Sequence, residues 1–197
     1  MIKAGITGGI GSGKTTCCKI FEELGVPVYY ADQRAKDMYI ENPEVKEQVI
    51  ALLGKDAYNQ NELQRKYIAG KVFTDKSLLK KLNAIIHPAV GEDYQKFLKR
   101  NAKSDYTLKE AAVMIESGSA RNLDYLIVVT APQADRIERI AKRDDASRED
   151  IKNRMENQLS DEERLKHADF IIQNTTLAHL REQVESIHEQ LLKIAKG

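Results

Sequence analysis

An α/β fold built on a parallel sheet is the architecture this sequence predicts, and three stretches predict it. Ile2–Thr7 is a short apolar strand that turns through Gly8-Gly9-Ile10-Gly11-Ser12-Gly13-Lys14-Thr15 into a helix over residues 15–24. Leu126-Ile127-Val128-Val129-Thr130 is rich in β-branched residues and bounded by Asp124 and Ala131-Pro132, as befits a strand buried on both faces. Residues 177–195 repeat apolar side chains at Leu180, Val184, Ile187, Leu191 and Ile194, the spacing of one helix face. Strands that alternate with helices feed a parallel sheet.

The 197 residues are 42% hydrophobic and 31% charged, an ordinary globular composition that suits one core with an insertion better than two independent domains. A net charge of +1 leaves no excess of cations to displace counterions, which argues against a general nucleic-acid partner but allows a local anion pocket. The N-terminus has no basic segment leading into an apolar run. No apolar stretch approaches the roughly 18 residues of a membrane helix, so a cytoplasmic protein without a membrane partner is expected. Cys17 and Cys18 are the only cysteines. Adjacent on one helix, they project about 100° apart, which suits packing better than a disulfide or a metal site.

The glycine-rich turn fits the phosphate-loop pattern Gly-x-x-x-x-Gly-Lys-Ser/Thr. A strand turning sharply into a helix leaves backbone N–H groups pointing outward, and glycines let that backbone close around phosphates without Cβ clashes. Lys14 would reach the outer phosphates and Thr15 would offer its hydroxyl to Mg2+. After Gly25, Pro27-Val28-Tyr29-Tyr30 reads as a second strand running into Ala31-Asp32. Ligands of such sheets sit beyond the carboxyl ends of the strands. Asp32 there suits either of two roles: a carboxylate that takes a substrate proton or holds Mg2+ through water, or the N-cap of a helix starting at Gln33.

Residues 33–103 read as helical with no convincing strand: helices near 34–40, 44–53 and 62–70, and a long one from Asp75 that Pro88 should bend or restart. Helices inserted between strands of a parallel sheet usually carry a substrate site. Lys66, Lys71, Lys76, Lys80 and Lys81 read as a solvated face. His87 closes an apolar helix and by itself reads as a packing residue. Ala111-Ala112-Val113-Met114-Ile115 reads as a strand whose terminal Glu116 would order Mg2+ or water. The helix over 133–143 sets Arg136, Arg139 and Arg143 apart from its apolar face, well placed for a triphosphate. Residues 144–166 carry a helix start at Ser147 with Asp150 and a helix near 161–167, which beside a phosphate loop reads as a mobile lid. A last strand and turn cover 169–174.

Gly5-Ile6-Thr7 with the glycine loop, Gly25-Val26-Pro27, and Ala31-Asp32 with Ala35 together resemble the opening of the dephospho-CoA kinase family. The resemblance continues through Ile86-His87-Pro88, Ile115-Glu116-Ser117-Gly118, and Pro132 with Arg136, Arg139 and Arg143-Asp144. It ends with Arg154, Gln158, Ala168-Asp169, Ile171-Ile172 and Asn174, spanning nearly the whole chain. It implies a P-loop kinase of nucleoside-monophosphate-kinase type, with a five-stranded parallel sheet flanked by helices. The implied core is 1–32, 106–138 and 168–197, with a helical CoA-binding insert at 33–105 and a lid at 139–167. The implied reaction moves the γ-phosphoryl group of ATP, with Mg2+, to the 3′-hydroxyl of dephospho-CoA, the final step of coenzyme A synthesis.

Carried over residue by residue, the resemblance makes Asp32 the general base and sets Thr7 and Lys14 at the reacting phosphates. Arg139 or Arg143 becomes the charge-stabilising arginine. Gly9, Ile10, Gly11, Ser12, Gly13, Lys14, Thr15, Thr16 and Asn174 surround ATP, with Asn174 near the adenine. Asp32, His87 and Glu116 face the acceptor. Where the family usually has Asp-Ala-Asp this chain has Tyr30-Ala31-Asp32, which leaves Asp32 as the carboxylate of that strand end. The alternatives are another small-molecule kinase, such as one acting on a nucleoside monophosphate, and a non-catalytic ATP-binding protein. A GTPase-type switch is disfavoured, because Ala131-Pro132-Gln133-Ala134 stands where Asn-Lys-x-Asp would read guanine.

Overall fold

Apolar runs and glycine turns alternate along the chain, and a computed structural model describes residues 1–60, 62–144 and 147–197. Asn61, Asp145 and Ala146, which fall within the expected insert and lid, lie outside the described residues. The chain divides into two compact units, Met1–Tyr30 with Asn101–Gly197, and Ala31–Arg100.

The first unit holds a five-stranded sheet. β1 (Ile2–Thr7) leads to α1 (Lys14–Glu23) and β2 (Val28–Tyr30). The second unit follows in sequence with α2 (Ala31–Glu41), α3 (Pro43–Leu53), β3 (Tyr58–Asn59), β4 (Glu62–Leu63), α4 (Arg65–Thr74) and α5 (Lys76–Arg100). The chain then returns to the first unit through β5 (Tyr106–Glu110), β6 (Tyr125–Thr130), α6 (Gln133–Asp144), α7 (Arg148–Glu156) and α8 (Asp161–Leu165), and closes with β7 (Phe170–Gln173) and α9 (Leu177–Lys196). The spatial order is β2-β5-β1-β6-β7, every pair parallel, with Ile6 of β1 opposite Glu110 of β5 and Ile127 of β6. β1 is therefore central. The core between sheet and helices holds Ile6, Phe21, Leu108, Ile127, Val184 and Leu191. Leu180, Val184, Ile187 and Leu191 of α9 are buried as its spacing requires, whereas Ile194 near the helix end is exposed.

The expected strand at 111–115 is corrected. The strand is β5, five residues earlier in its start, and 111–118 is a turn-rich loop. β5 reads as mixed in polarity, yet Tyr106, Thr107, Leu108 and Glu110 are all buried, because β1 and β2 flank it. The apolar run that follows is apolar for a different reason: Ala111 and Met114 are buried in the loop.

In the second unit Val49, Leu53, Ile68, Leu82 and Ile86 form a core of their own. Asn42 caps α3 by accepting from the N–H groups of Glu44 and Val45, with Pro43 at the first helical position. Arg34 of α2 grips Asp93 of α5 with two bonds, Nε–Oδ2 2.8 Å and Nη2–Oδ1 3.1 Å, and this pairing holds its guanidinium pKa above the ordinary value. The expectation of no strand fails here: β3 and β4 pair as a small antiparallel hairpin. Of the two outcomes expected at Pro88, the restart does not occur, and α5 runs on to Arg100. Leu82 and Ile86 before the proline and Tyr94 after it stay buried. Ala84, whose carbonyl loses its i+4 donor to the proline ring, is on the exposed side where that loss costs least. The solvated face expected of the lysines is present, with Lys66, Lys71, Lys76, Lys80 and Lys81 all exposed.

Leu191 is fully buried under the sheet. Leu191→Ala is expected to lower the unfolding free energy by about 2–5 kcal/mol, read from the urea midpoint at unchanged slope.

Candidate active site

The loop between β1 and α1 carries six successive carbonyls, and each accepts a hydrogen bond from within the chain. Lys14 Nζ donates to Gly8 O at 2.8 Å. Ser12 N–H donates to Gly9 O at 3.1 Å. Arg136 Nε donates to Ile10 O at 2.9 Å, and Arg139 Nη1 to Gly11 O at 3.4 Å. Asn174 Nδ2 donates to Ser12 O at 2.8 Å, and the N–H groups of Thr16 and Cys17 donate to Gly13 O. A loop whose carbonyls are all hydrogen-bonded within the chain leaves its N–H groups, apart from those of Ile10 and Ser12 that are engaged within the chain, to form an anion nest. The first turn of α1 adds to this field. It is the positive end of the helix dipole, and it contains no acidic residue.

Two glycines are required by what touches them. Gly13 caps α1 at φ 99°, a left-handed conformation, and a Cβ there would collide with Asn174 Nδ2. A Cβ on Gly9 would collide with Arg136 Nη2. Arg136 is 6% exposed and paired through Nη1 to Asp161 Oδ2 at 2.9 Å. Burial pushes its guanidinium pKa down, and Asp161 opposes that shift. The other oxygen of Asp161 accepts from Nη1 of Arg164, which is 1% exposed and lies 3.6 Å from Glu116. A cleft of about 710 Å3 is lined by Gln133, Arg136, Lys152, Met155, Gln158 and Asp161. Behind the loop, Cys17 and Cys18 are buried and free, and burial pushes the Cys17 thiol up to about 12 from 9.0, so both are packing groups.

The structure brings many of the expected site residues together on the first unit. Gly9 to Gly13 form the loop, and Lys14, Thr15 and Thr16 open α1, the two threonines exposed. Thr7 is buried at the end of β1, its hydroxyl donating to Ala112 O at 3.3 Å. Arg139 reaches both Gly11 O and Asn174 O. Arg143 does not join them: its Nε is paired to Asp144 at 2.7 Å and its side chain is exposed. Glu116 is not a strand terminus but a loop residue, and its Oε1 accepts from Leu159 N–H at 3.3 Å. Asp32 and His87 belong to the second unit. Asp32 lies inside the first turn of α2, which starts at Ala31, so it does not cap a helix beginning at Gln33. His87 is exposed in mid-α5 and is neither a packing residue nor a helix end.

Two residues that the resemblance includes, Arg136 and Gln158, hold the loop through contacts the sequence reading does not anticipate. Arg136 was legible as one of three arginines but not as the one buried against the loop; its spacing three residues before Arg139 was the available signal. Gln158, whose Oε1 accepts Ile10 N–H at 2.9 Å, sits in a polar stretch where the family resemblance is its one signal. Glu110, buried at the carboxyl end of β5, was missed along with its strand.

The donor set suits a hard cation only as a shared ligand. No group of three or more His, Cys, Asp or Glu side chains could hold a metal among the described residues, while Thr15 offers a hydroxyl oxygen where α1 begins. That is how Mg2+ is generally held, by one or two protein oxygens together with substrate phosphates. No helix among the described residues is long and apolar enough to cross a membrane.

A central parallel strand, a glycine loop with its carbonyls drawn inward, and arginines from the helix after β6 together define a P-loop kinase. A family profile described as dephospho-CoA kinase matches residues 2–179, and the chain belongs to that family. The dephospho-CoA kinase of Salinibacter ruber is 38% identical over 192 residues, covering 95% of this chain and 96% of its own. Among solved structures, a protein from Thermus thermophilus matches with a TM-score of 0.87 at 31% identity, over 96% of this chain and 97% of its own. The dephospho-CoA kinase from Campylobacter jejuni matches with a TM-score of 0.74 at 29% identity, over 97% of each chain.

Gly13→Ala is expected to abolish measurable ATP binding by calorimetry, because both the left-handed backbone and the Asn174 contact must give way. Retained affinity would show that this loop conformation is not the binding one.

Proposed function

We propose that the chain transfers the γ-phosphoryl group of ATP to the 3′-hydroxyl of dephospho-CoA, giving CoA and ADP. The observation that carries the reading is the loop with six inward carbonyls, on a chain whose family is dephospho-CoA kinase. Transfer is direct and in line. The ribose oxygen bonds to the γ-phosphorus as the bond from that phosphorus to the β–γ bridging oxygen breaks, the hydroxyl proton passes to the Asp32 carboxylate, and ADP leaves. Lys14 exchanges Gly8 O for the β- and γ-phosphate oxygens. Arg139, already bonded to Gly11 O, supplies positive charge as transfer proceeds, a role for which Arg143 is engaged elsewhere.

When bound with ATP through Thr15, Mg2+ supplies charge neutralisation of the phosphates. Thr7 fixes the start of the loop, and Asn174 pins Ser12 where the nucleoside end of ATP would rest. The helices of residues 33–105, with His87 on an exposed face, receive the acceptor, and residues 139–167 close over the phosphates and exclude water. Glu116, whose Oε1 accepts from Leu159 N–H, faces the acceptor.

An ADP-release assay with dephospho-CoA against a panel of nucleoside monophosphates tests the acceptor. ADP formed only with dephospho-CoA is expected. ADP only with a monophosphate would assign a different kinase, and none with either would make the chain a nucleotide-binding protein. Asp32→Asn is expected to lower kcat on the order of 100-fold while leaving ATP affinity within about threefold. Unchanged turnover in that variant removes Asp32 from the base role.

A further inference from the structure

Ile10 is held differently from its neighbours in the loop. Gly8, Gly9 and Gly13 find donors within a few residues. Ile10 commits both its backbone groups to side chains 126 and 148 positions away: Arg136 Nε at its carbonyl and Gln158 Oε1 at its N–H, each at 2.9 Å. With one bond on each of the two peptide planes that meet at its Cα, Ile10 cannot rotate either plane without losing a part-buried partner. The two side chains are themselves anchored. Arg136 is locked by Asp161, and Gln158 lies three residues before Asp161 in the connection between α7 and α8. Leu159, next to Gln158, is tied to Glu116.

We infer that Gln158 and Arg136 are positioning residues for ATP: they clamp the two peptide planes that meet at Ile10 so that the phosphate nest is formed before the nucleotide arrives. The inference rests on the ATP reading above. Without the clamp, ordering the loop falls on ATP binding and on the transition state, which weakens both. The acceptor is untouched. The clamp also couples the loop to the α7–α8 connection, since the side chain that fixes Ile10 N–H belongs to that connection.

Gln158→Leu keeps the size and removes the acceptor; Gln158→Glu keeps an acceptor oxygen at the same reach. Four readouts are taken on the full chain: hydrogen exchange of the Ile10 amide by NMR, ATP affinity by calorimetry, KM for each substrate, and the thermal midpoint. In Gln158→Leu the Ile10 amide is expected to exchange at least about tenfold faster and ATP to bind about tenfold more weakly, the loss of one buried hydrogen bond. KM for dephospho-CoA should stay within about twofold and the thermal midpoint within about 2 °C. Gln158→Glu should restore Ile10 protection. Unchanged exchange or unchanged ATP affinity in Gln158→Leu overturns the inference. So does equal weakening of both substrates with a lowered midpoint, or a failure of Gln158→Glu to restore protection. Exchange and ATP binding need no acceptor, so a negative result here is distinct from a wrong acceptor assignment.

Discussion

Six carbonyls turned into the protein are the constraint on which the site depends. Each of these carbonyls is held by a donor of the chain, so the backbone of the loop between β1 and α1 is fixed in one conformation, with the N–H groups of Ile10 and Ser12 also engaged. The donors that hold them come from α1 itself, from α6 and from the turn after β7. A nest of this kind presents partial positive charge without any residue that must be ionised, and the first turn of α1 extends it. The net charge of +1 is therefore no obstacle to binding a highly anionic ligand.

The sheet order explains how distant residues arrive at one loop. β1 is central, so the segments leaving the carboxyl ends of β6 and β7 start close to the carboxyl end of β1. Arg136 and Arg139 follow β6 within three turns of helix, and Asn174 follows β7 directly. Their roles divide by burial. Arg136 is enclosed and ion-paired, a group that holds backbone. Arg139 makes longer contacts, at 3.4 Å each, which suits the phosphate-facing role proposed for it. The same division separates the two glutamates of this region: Glu110 is buried in the sheet, and Glu116 ties down Leu159.

What the sequence made legible follows from how local the physics is. The strand, glycine loop and helix at 2–23 are read directly, because a left-handed cap and a lysine at fixed spacing are properties of neighbouring residues. β6 and α9 are likewise set by local periodicity. β5 is not, since Thr107 and Glu110 are buried by strands that pair with it from elsewhere in the chain, and the eye passes to the more apolar 111–115. Pro88 does not restart its helix for a related reason: a helix with buried residues on both sides of a proline can tolerate the lost bond on its exposed face. The site shows the same limit. Lys14 and Thr15 announce themselves by pattern, whereas Gln158 is a polar residue in a polar stretch until the fold brings it to Ile10.

The central claim is that the loop at 8–15 cradles the phosphates of ATP and that Lys14 is its charged member. Calorimetric titration of Lys14→Ala with ATP, alongside turnover of the same preparation, addresses it most directly. The account predicts that ATP affinity and activity are both lost while the urea midpoint stays near that of the parent chain. Retained ATP binding together with retained turnover would contradict it.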